Sequence, residues 1–195
     1  MKALAINGSP RKNGNTAAML DRALARLSAR GVECETLSLS GKRINGCIAC
    51  MGCRNTPPDA PRCTQEDTDD FKGAIEKFLA ADAILVGSPV YFGSATAQVM
   101  GLLQRVGYAL RGKKTPYLKN KIGAAVVVAR RAGQNFTFAQ LNYFFLINEM
   151  IVPGSTYWNM GVGGAPGEVK NDTEGMATMD RLGDNIADLL EKLKK

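Results

Sequence analysis

The chain has 195 residues, 45% hydrophobic and 22% charged, with a formal net charge of +7 and no histidine. That length supports one domain, expected over 1–195, of the globular class. The missing histidines exclude imidazole-based triads and imidazole-ligated metal sites, and the positive excess suits anionic ligands such as phosphates and dinucleotides.

Lys2 to Asn7 reads as a strand, followed by a helix over Ala17 to Arg30 with Met19, Leu20, Ala23, Leu24 and Leu27 on one face. Gly31 stops that helix at its C-terminus, and Val32 to Leu39 alternates as a second strand. Residues 41–66 are rich in Cys, Pro and Gly and read as an inserted loop. Thr68-Asp69-Asp70 is expected to cap a helix running through Leu79. Ala83 to Gly87 is a strand apolar on both sides, Ser94 to Leu110 a helix, and Lys121 to Ala129 a strong strand. Thr137 to Met150 is an aromatic-rich helix, Ile151 to Tyr157 a last strand, and Thr173 to Leu193 the closing helix after a Gly-rich loop.

Continuous apolar strands alternating with helices predict a parallel sheet covered on both faces. Right-handed crossovers make such a sheet doubly wound, with ligands at the carboxyl ends of its strands. The loops after the first, third and fourth strands therefore matter most: Gly8 to Thr16, Ser88 to Ser94, and Arg130 to Gln134.

The first loop has the makings of a phosphate site. A strand, a turn and a helix N-terminus follow one another, so unpaired backbone N–H groups and the helix dipole favour an anion. Ser9, Asn15 and Thr16 add side-chain donors, and Arg11 adds a guanidinium fork. This is not the ATP-type loop: five residues separate Gly8 from Gly14, and Asn15 stands where the lysine belongs. Nor is the dinucleotide fingerprint G-x-G-x-x-G present there. The second loop, Gly87-Ser-Pro-Val-Tyr-Phe-Gly-Ser94, places aromatics where a flat conjugated ring would lie. A mononucleotide with a large planar base fits both loops.

Gly8-Ser9-Pro10-Arg11, Gly14-Asn15-Thr16 and Ser88-Pro89-Val90-Tyr91-Phe92-Gly93, with the tail from Gly167 to Gly175, resemble the NADPH-dependent FMN reductases of the flavodoxin-like superfamily. The resemblance runs along nearly the whole chain. It implies a flavodoxin-like three-layer α/β sandwich with a five-stranded parallel sheet of order 2-1-3-4-5. It further implies that Ser9, Arg11, Asn15 and Thr16 hold the FMN phosphate, and that Pro89, Val90, Tyr91, Phe92 and Gly93 line the isoalloxazine. The third loop, Ala129-Arg-Arg-Ala-Gly-Gln134, departs from the small, Gly-rich pattern of the family. Arg130 is a candidate for the flavin pyrimidine edge; the alternatives are that Arg130 or Arg131 pairs with a nicotinamide-dinucleotide phosphate, or is solvated. NAD(P)H is the expected electron donor, with an acceptor the sequence does not name. The resemblance also implies self-association, as a homodimer or homotetramer; the aromatic-rich stretch Phe136 to Asn148, apolar on more than one face, suits such a contact and equally suits a helix buried within its own subunit.

Cys47, Cys50 and Cys53 are spaced by two residues, and Cys63 follows after nine more. This spacing lets three thiolates converge on one cluster, as in the bacterial ferredoxin run, with a distant fourth ligand. The region resembles the iron–sulfur flavoproteins, relatives of the same reductases, although their fourth cysteine follows more closely. Three readings stand side by side: a [4Fe–4S] cluster on Cys47, Cys50, Cys53 and Cys63, an empty thiol loop, and zinc. A cluster brings a rival function, an electron carrier served by ferredoxin-like partners; a non-catalytic FMN module is a third. Cys34, on the second strand, is expected to be a buried, inert thiol.

The basic residues come in scattered pairs, Lys42-Arg43, Lys113-Lys114 and Arg130-Arg131, so no nucleic-acid partner is expected. No apolar run reaches the roughly 18 residues of a membrane span. Asn7 and Gly8 break the opening MKALAINGSP too early for a secretion signal. The expectation is a cytoplasmic protein without a membrane partner.

Overall fold

The structure, a computed structural model, describes residues 1–111 and 116–193; the Lys113-Lys114 pair lies outside them. Five parallel strands form one sheet: β1 (Lys2–Asn7), β2 (Glu33–Ser38), β3 (Ala83–Pro89), β4 (Ile122–Ala129) and β5 (Met160–Val162), in the order β2-β1-β3-β4-β5. The helices are α1 (Asn15–Ala29), α2 (Ala74–Ala80), α3 (Ala97–Arg111), α4 (Gln134–Ile147) and α5 (Thr173–Leu193). The flavodoxin-like order expected from the sequence is the order found.

The period of two in each strand sorts side chains to two cores. Leu4 and Ile6 of β1, Ile84 and Val86 of β3, and Ala125 and Val127 of β4 face α2, α3 and α4, meeting Phe78, Leu102 and Phe145. Ala3 and Ala5, Ala83 and Leu85, and Ala124, Val126 and Val128 face α1 and α5, meeting Met19, Leu20, Met179 and Ile186. Each large buried side chain contributes about 1.5–3 kcal/mol of transfer free energy. Helix α1 lies parallel to α5. Arg22 pairs with Asp180, Arg26 with Asp184, and Arg30 with Asp188, a constant offset of 158 residues.

Two expected elements fall elsewhere. The strand expected over Ile151 to Tyr157 is a single parallel bridge, Ile151 to Ile122. Pro153 has no N–H to continue the ladder, and the chain loops out before pairing again when Val127 N donates to Asn159 O at 3.0 Å. The edge strand is therefore β5, Met160–Val162. Thr68-Asp69-Asp70 does not cap α2, which starts at Ala74 after Gly73 at φ +79°. Both aspartates turn back to the inserted loop: Asp69 Oδ2 accepts from Asn45 N at 2.7 Å and Asp70 Oδ2 from Arg43 N at 2.8 Å. Cys34 is only half-buried; burial, with the nearby Glu33 charge, pushes its thiol pKa up, in keeping with an inert group.

Candidate functional site

The first site lies at the carboxyl ends of β1, β3 and β4. Asn7 ends β1 and braces the turn after it: its Oδ1 accepts from Ser9 N at 3.1 Å and its Nδ2 donates to Lys12 O at 3.1 Å. Gly8 is required where β1 runs into the turn. A Cβ there would stand 2.0 Å from Val99 Cγ2 and 2.8 Å from Gly87 O. Ser9 Oγ accepts from Arg11 N at 3.1 Å, curling the loop. The N-cap of α1 is Gly14; it makes no side-chain capping bond, and no acidic residue sits in the first turn. The amides opening α1 thus keep the donors and the dipole that an anion needs.

Ser9, Arg11, Asn15 and Thr16 line one cavity with Pro89, Val90, Tyr91 and Arg130. Eight residues singled out in the sequence are thereby brought together from three strand ends. The Asn15 side chain also reaches the loop after β5. Its Nδ2 donates to Ala165 O at 2.9 Å, and its Oδ1 accepts from Val169 N at 3.3 Å. Arg11 Nη1 donates to Gly164 O at 3.1 Å. Glu168 holds the same loop by accepting from Gly164 N and Ala165 N, each at 2.7 Å, bonds that lower its carboxyl pKa.

Phe92 and Gly93 do not line the cavity. Tyr91 and Ser94 exchange backbone bonds of 2.9 and 3.0 Å, closing a tight turn with Phe92 at φ 51° and Gly93 at φ 76°. That conformation suits Gly or Asn and strains a phenylalanine, and it leaves Phe92 fully exposed. Gln140 of α4 braces this turn, its Oε1 accepting from Ala95 N at 2.9 Å and from Ser94 Oγ at 3.1 Å.

Sequence reasoning missed Gly163 and Gly164, which also line the cavity. A Cβ on Gly163 would lie 2.6 Å from Val169 N and 2.9 Å from Asn15 Nδ2. Their signal was the Gly161-Val-Gly-Gly run, hidden because the last strand was expected earlier. Thr96 was also missed, and Ser88, part of the second loop's motif, was given no role of its own. Thr96 Oγ1 donates to Gly8 O at 2.9 Å and Thr96 N to Ser88 Oγ at 3.1 Å, tying the first loop to the second.

The second site lies in the inserted loop, which crosses α3. Gly101 permits the crossing, since a Cβ there would meet Asn45 O at 2.9 Å. Gln104 Oε1 accepts from Cys47 N at 3.3 Å. Cys47, Cys50, Cys53 and Cys63 all line one cavity, closed on the helix side by Arg105 and Tyr108. Burial, and then the charges of Cys63, Cys47 and Cys50, push the Cys53 thiol pKa up, while the Gly52 amide and Thr64 hydroxyl lower that of Cys50. Four thiols facing one space form a donor set for a cationic group, which would relieve their mutual repulsion. Among the described residues no three ligating groups are drawn together tightly enough for a single metal ion.

The fold defines a flavodoxin-like protein, with its first cavity at the uncapped N-terminus of α1. Structural comparison agrees on the fold. RosB, solved with a bound 8-demethyl-8-formylriboflavin-5'-phosphate intermediate, superposes with a TM-score of 0.75 at 18% identity, over all of this chain and 80% of that one. An archaeal flavodoxin gives 0.62 at 17% identity, over all of both chains.

Residues 1–165 match the family model of the NADPH-dependent FMN reductases, and the chain belongs to that family. It is 39% identical to an iron–sulfur flavoprotein of Methanocaldococcus jannaschii over the whole of both chains. It is 36% identical to one of Methanosarcina thermophila, over all of this chain and 98% of that one. Family and fold together support a flavin-binding oxidoreductase. No helix among the described residues is long and apolar enough to cross a membrane.

Proposed function

We propose that the chain is an FMN-dependent oxidoreductase that takes electrons from NAD(P)H and passes them to an acceptor, in the cytoplasm. The observation that carries this reading is the meeting of Ser9, Arg11 and Thr16 with Pro89, Val90 and Tyr91 on one cavity at an uncapped helix N-terminus. The residues fit the group. The amides opening α1 and the Arg11 guanidinium would hold the phosphate, and Pro89 to Tyr91 would lie along the ring system. Arg130 would place positive charge by the ring and favour negative charge there. When bound, FMN supplies a ring that accepts hydride and releases electrons singly or in pairs. No side chain has to act as nucleophile; the chain's work is orientation and electrostatics.

The cysteine cavity supports a [4Fe–4S] cluster on Cys47, Cys50, Cys53 and Cys63, as does full-length likeness to proteins named iron–sulfur flavoproteins. It also favours a second reading, an electron carrier fed by a ferredoxin-like partner. Anaerobic NAD(P)H oxidation with and without added ferredoxin separates the two. Oxidation without ferredoxin supports the reductase; flavin reduction only through ferredoxin supports the carrier.

Self-association belongs to the same reading. Phe92 stands fully exposed beside the flavin cavity, and Phe136, Tyr143, Leu146 and Ile147 of α4 are exposed nearby in sequence to the brace Gln140. A second copy of this chain is the occupant proposed for that apolar surface.

A further inference from the structure

Arg105 is an arginine on α3 with only 3% of its surface exposed. Its Nη1 donates to Asp69 Oδ2 at 2.6 Å, its Nη2 to Gln65 O at 2.8 Å, and its Nε to Cys63 Sγ at 3.4 Å. The guanidinium carbon lies 3.9 Å over the Phe71 ring. Asp69 is equally buried and also accepts from Asn45 N and Phe71 N.

A buried charge needs a partner, and Asp69 provides it. Charge balance alone therefore does not require the bond to sulfur, which also satisfies the buried Nε–H. A thiol is a weak acceptor, whereas a thiolate accepts a charge-assisted bond from a guanidinium. The same arginine grips Gln65, two residues beyond Cys63, so it fixes the fourth cysteine despite the long Pro-rich excursion before it.

We infer that Arg105 is the positioning residue of the cysteine cavity: it orients the Cys63 sulfur for ligation and raises the reduction potential of the cluster bound there. The inference rests on the cluster reading above. Hydrogen bonds to ligand sulfurs and nearby charge set cluster potentials, and a positive donor favours the reduced, more negative state. Asp69 opposes part of that charge. The pair thus sets the potential from two sides.

The test uses full-length wild type, Arg105→Gln, Arg105→Lys and Asp69→Asn, purified anaerobically and reconstituted with iron and sulfide. Iron is counted, and the cluster potential is read by redox titration followed by electron paramagnetic resonance. Arg105→Gln is expected to lower the reduced-to-oxidised ratio at a fixed potential about tenfold, which is about 59 mV for one electron. Arg105→Lys, which keeps a charge but loses the fork, is expected to shift in the same direction by less. Asp69→Asn, which releases the arginine's charge, is expected to shift to higher potential. A purely structural role would not move the two partners in opposite directions.

Equal potentials in all variants, with iron fully bound, overturn the role of Arg105 and leave the cluster reading intact. Wild type that takes up no iron overturns the cluster reading, and this inference with it. If Arg105→Gln does not fold, Arg105→Lys decides: an unchanged potential overturns the inference and a lowered one supports it.

Discussion

Asn15, on the first turn of α1, and Ala165, 150 residues later, are joined by a hydrogen bond of 2.9 Å from Asn15 Nδ2 to the Ala165 carbonyl. The other end of the same amide accepts from Val169 N. One side chain thereby fastens the loop after β5 against the start of α1, beside the turn after β1. Asn15→Ala leaves both backbone groups without that partner and should destabilise the protein by about 1–3 kcal/mol. FMN binding should weaken with it. Urea unfolding of the flavin-free protein and a flavin titration check both effects; no change in either would mean the loop is held by Glu168 alone.

Arg11→Ala should weaken FMN by about 1.5–3 kcal/mol, the range for hydrogen bonds to charged groups. Its guanidinium reaches Gly164 O across the cavity, so part of the loss is a looser glycine loop. Fluorescence titration of released and rebound FMN measures it. Full affinity in the variant would assign the phosphate to the helix amides.

Cys63→Ser should abolish iron binding but leave FMN in place, because the two cavities share no lining residue. Wild type is expected to hold about four irons per chain. Iron and flavin assays on one anaerobic preparation decide this. Iron retained in full by the variant would remove Cys63 from the ligand set.

Phe92→Gly separates backbone strain from association. The left-handed φ of 51° costs a phenylalanine about 1 kcal/mol that glycine does not incur. Removing an exposed ring should leave the fold no less stable while shifting dimer toward monomer. Sedimentation velocity beside thermal unfolding reads both; an unchanged mass distribution would exclude Phe92 from the contact.

Glu35 gives the acid limb of stability a specific origin. The Lys77 ammonium, and then Lys2 at 3.1 Å, hold its carboxyl below the ordinary range. A depressed folded value means this contribution is present above the unfolded pKa of about 4.3 and is lost as pH falls through the folded value. Glu35→Gln should cost about 0.2–1 kcal/mol at pH 7, as partly exposed pairs do. Wild type and variant should converge below pH 4. Parallel stability curves down to pH 3 would contradict this.

The strands and most helices were legible because their signals are local. Alternation in Val32 to Leu39 and the buried runs of β1, β3 and β4 reflect the two-residue period of a sheet with two packed faces. The turn from Gly8 to Thr16 was legible because anion binding at a helix N-terminus needs a short, recognisable set of residues. The edge strand was misplaced because Ile151 and Val152 have the composition of a strand, while Pro153 forbids its continuation.

By itself the sequence determined which residue types were available for each chemistry: a phosphate loop, an aromatic turn and four spaced thiols in a chain without histidine. Only the tertiary structure decided which of them meet. Sheet order carries Gly163, Gly164 and Arg130 to Ser9, and places Phe92 outside the cavity that Tyr91 lines. The packing of the inserted loop on α3 brings Cys63 and Asp69 to Arg105. Period and turn chemistry act over a few residues, whereas these meetings span tens to more than a hundred, and there the packing of strands and helices sets the distances.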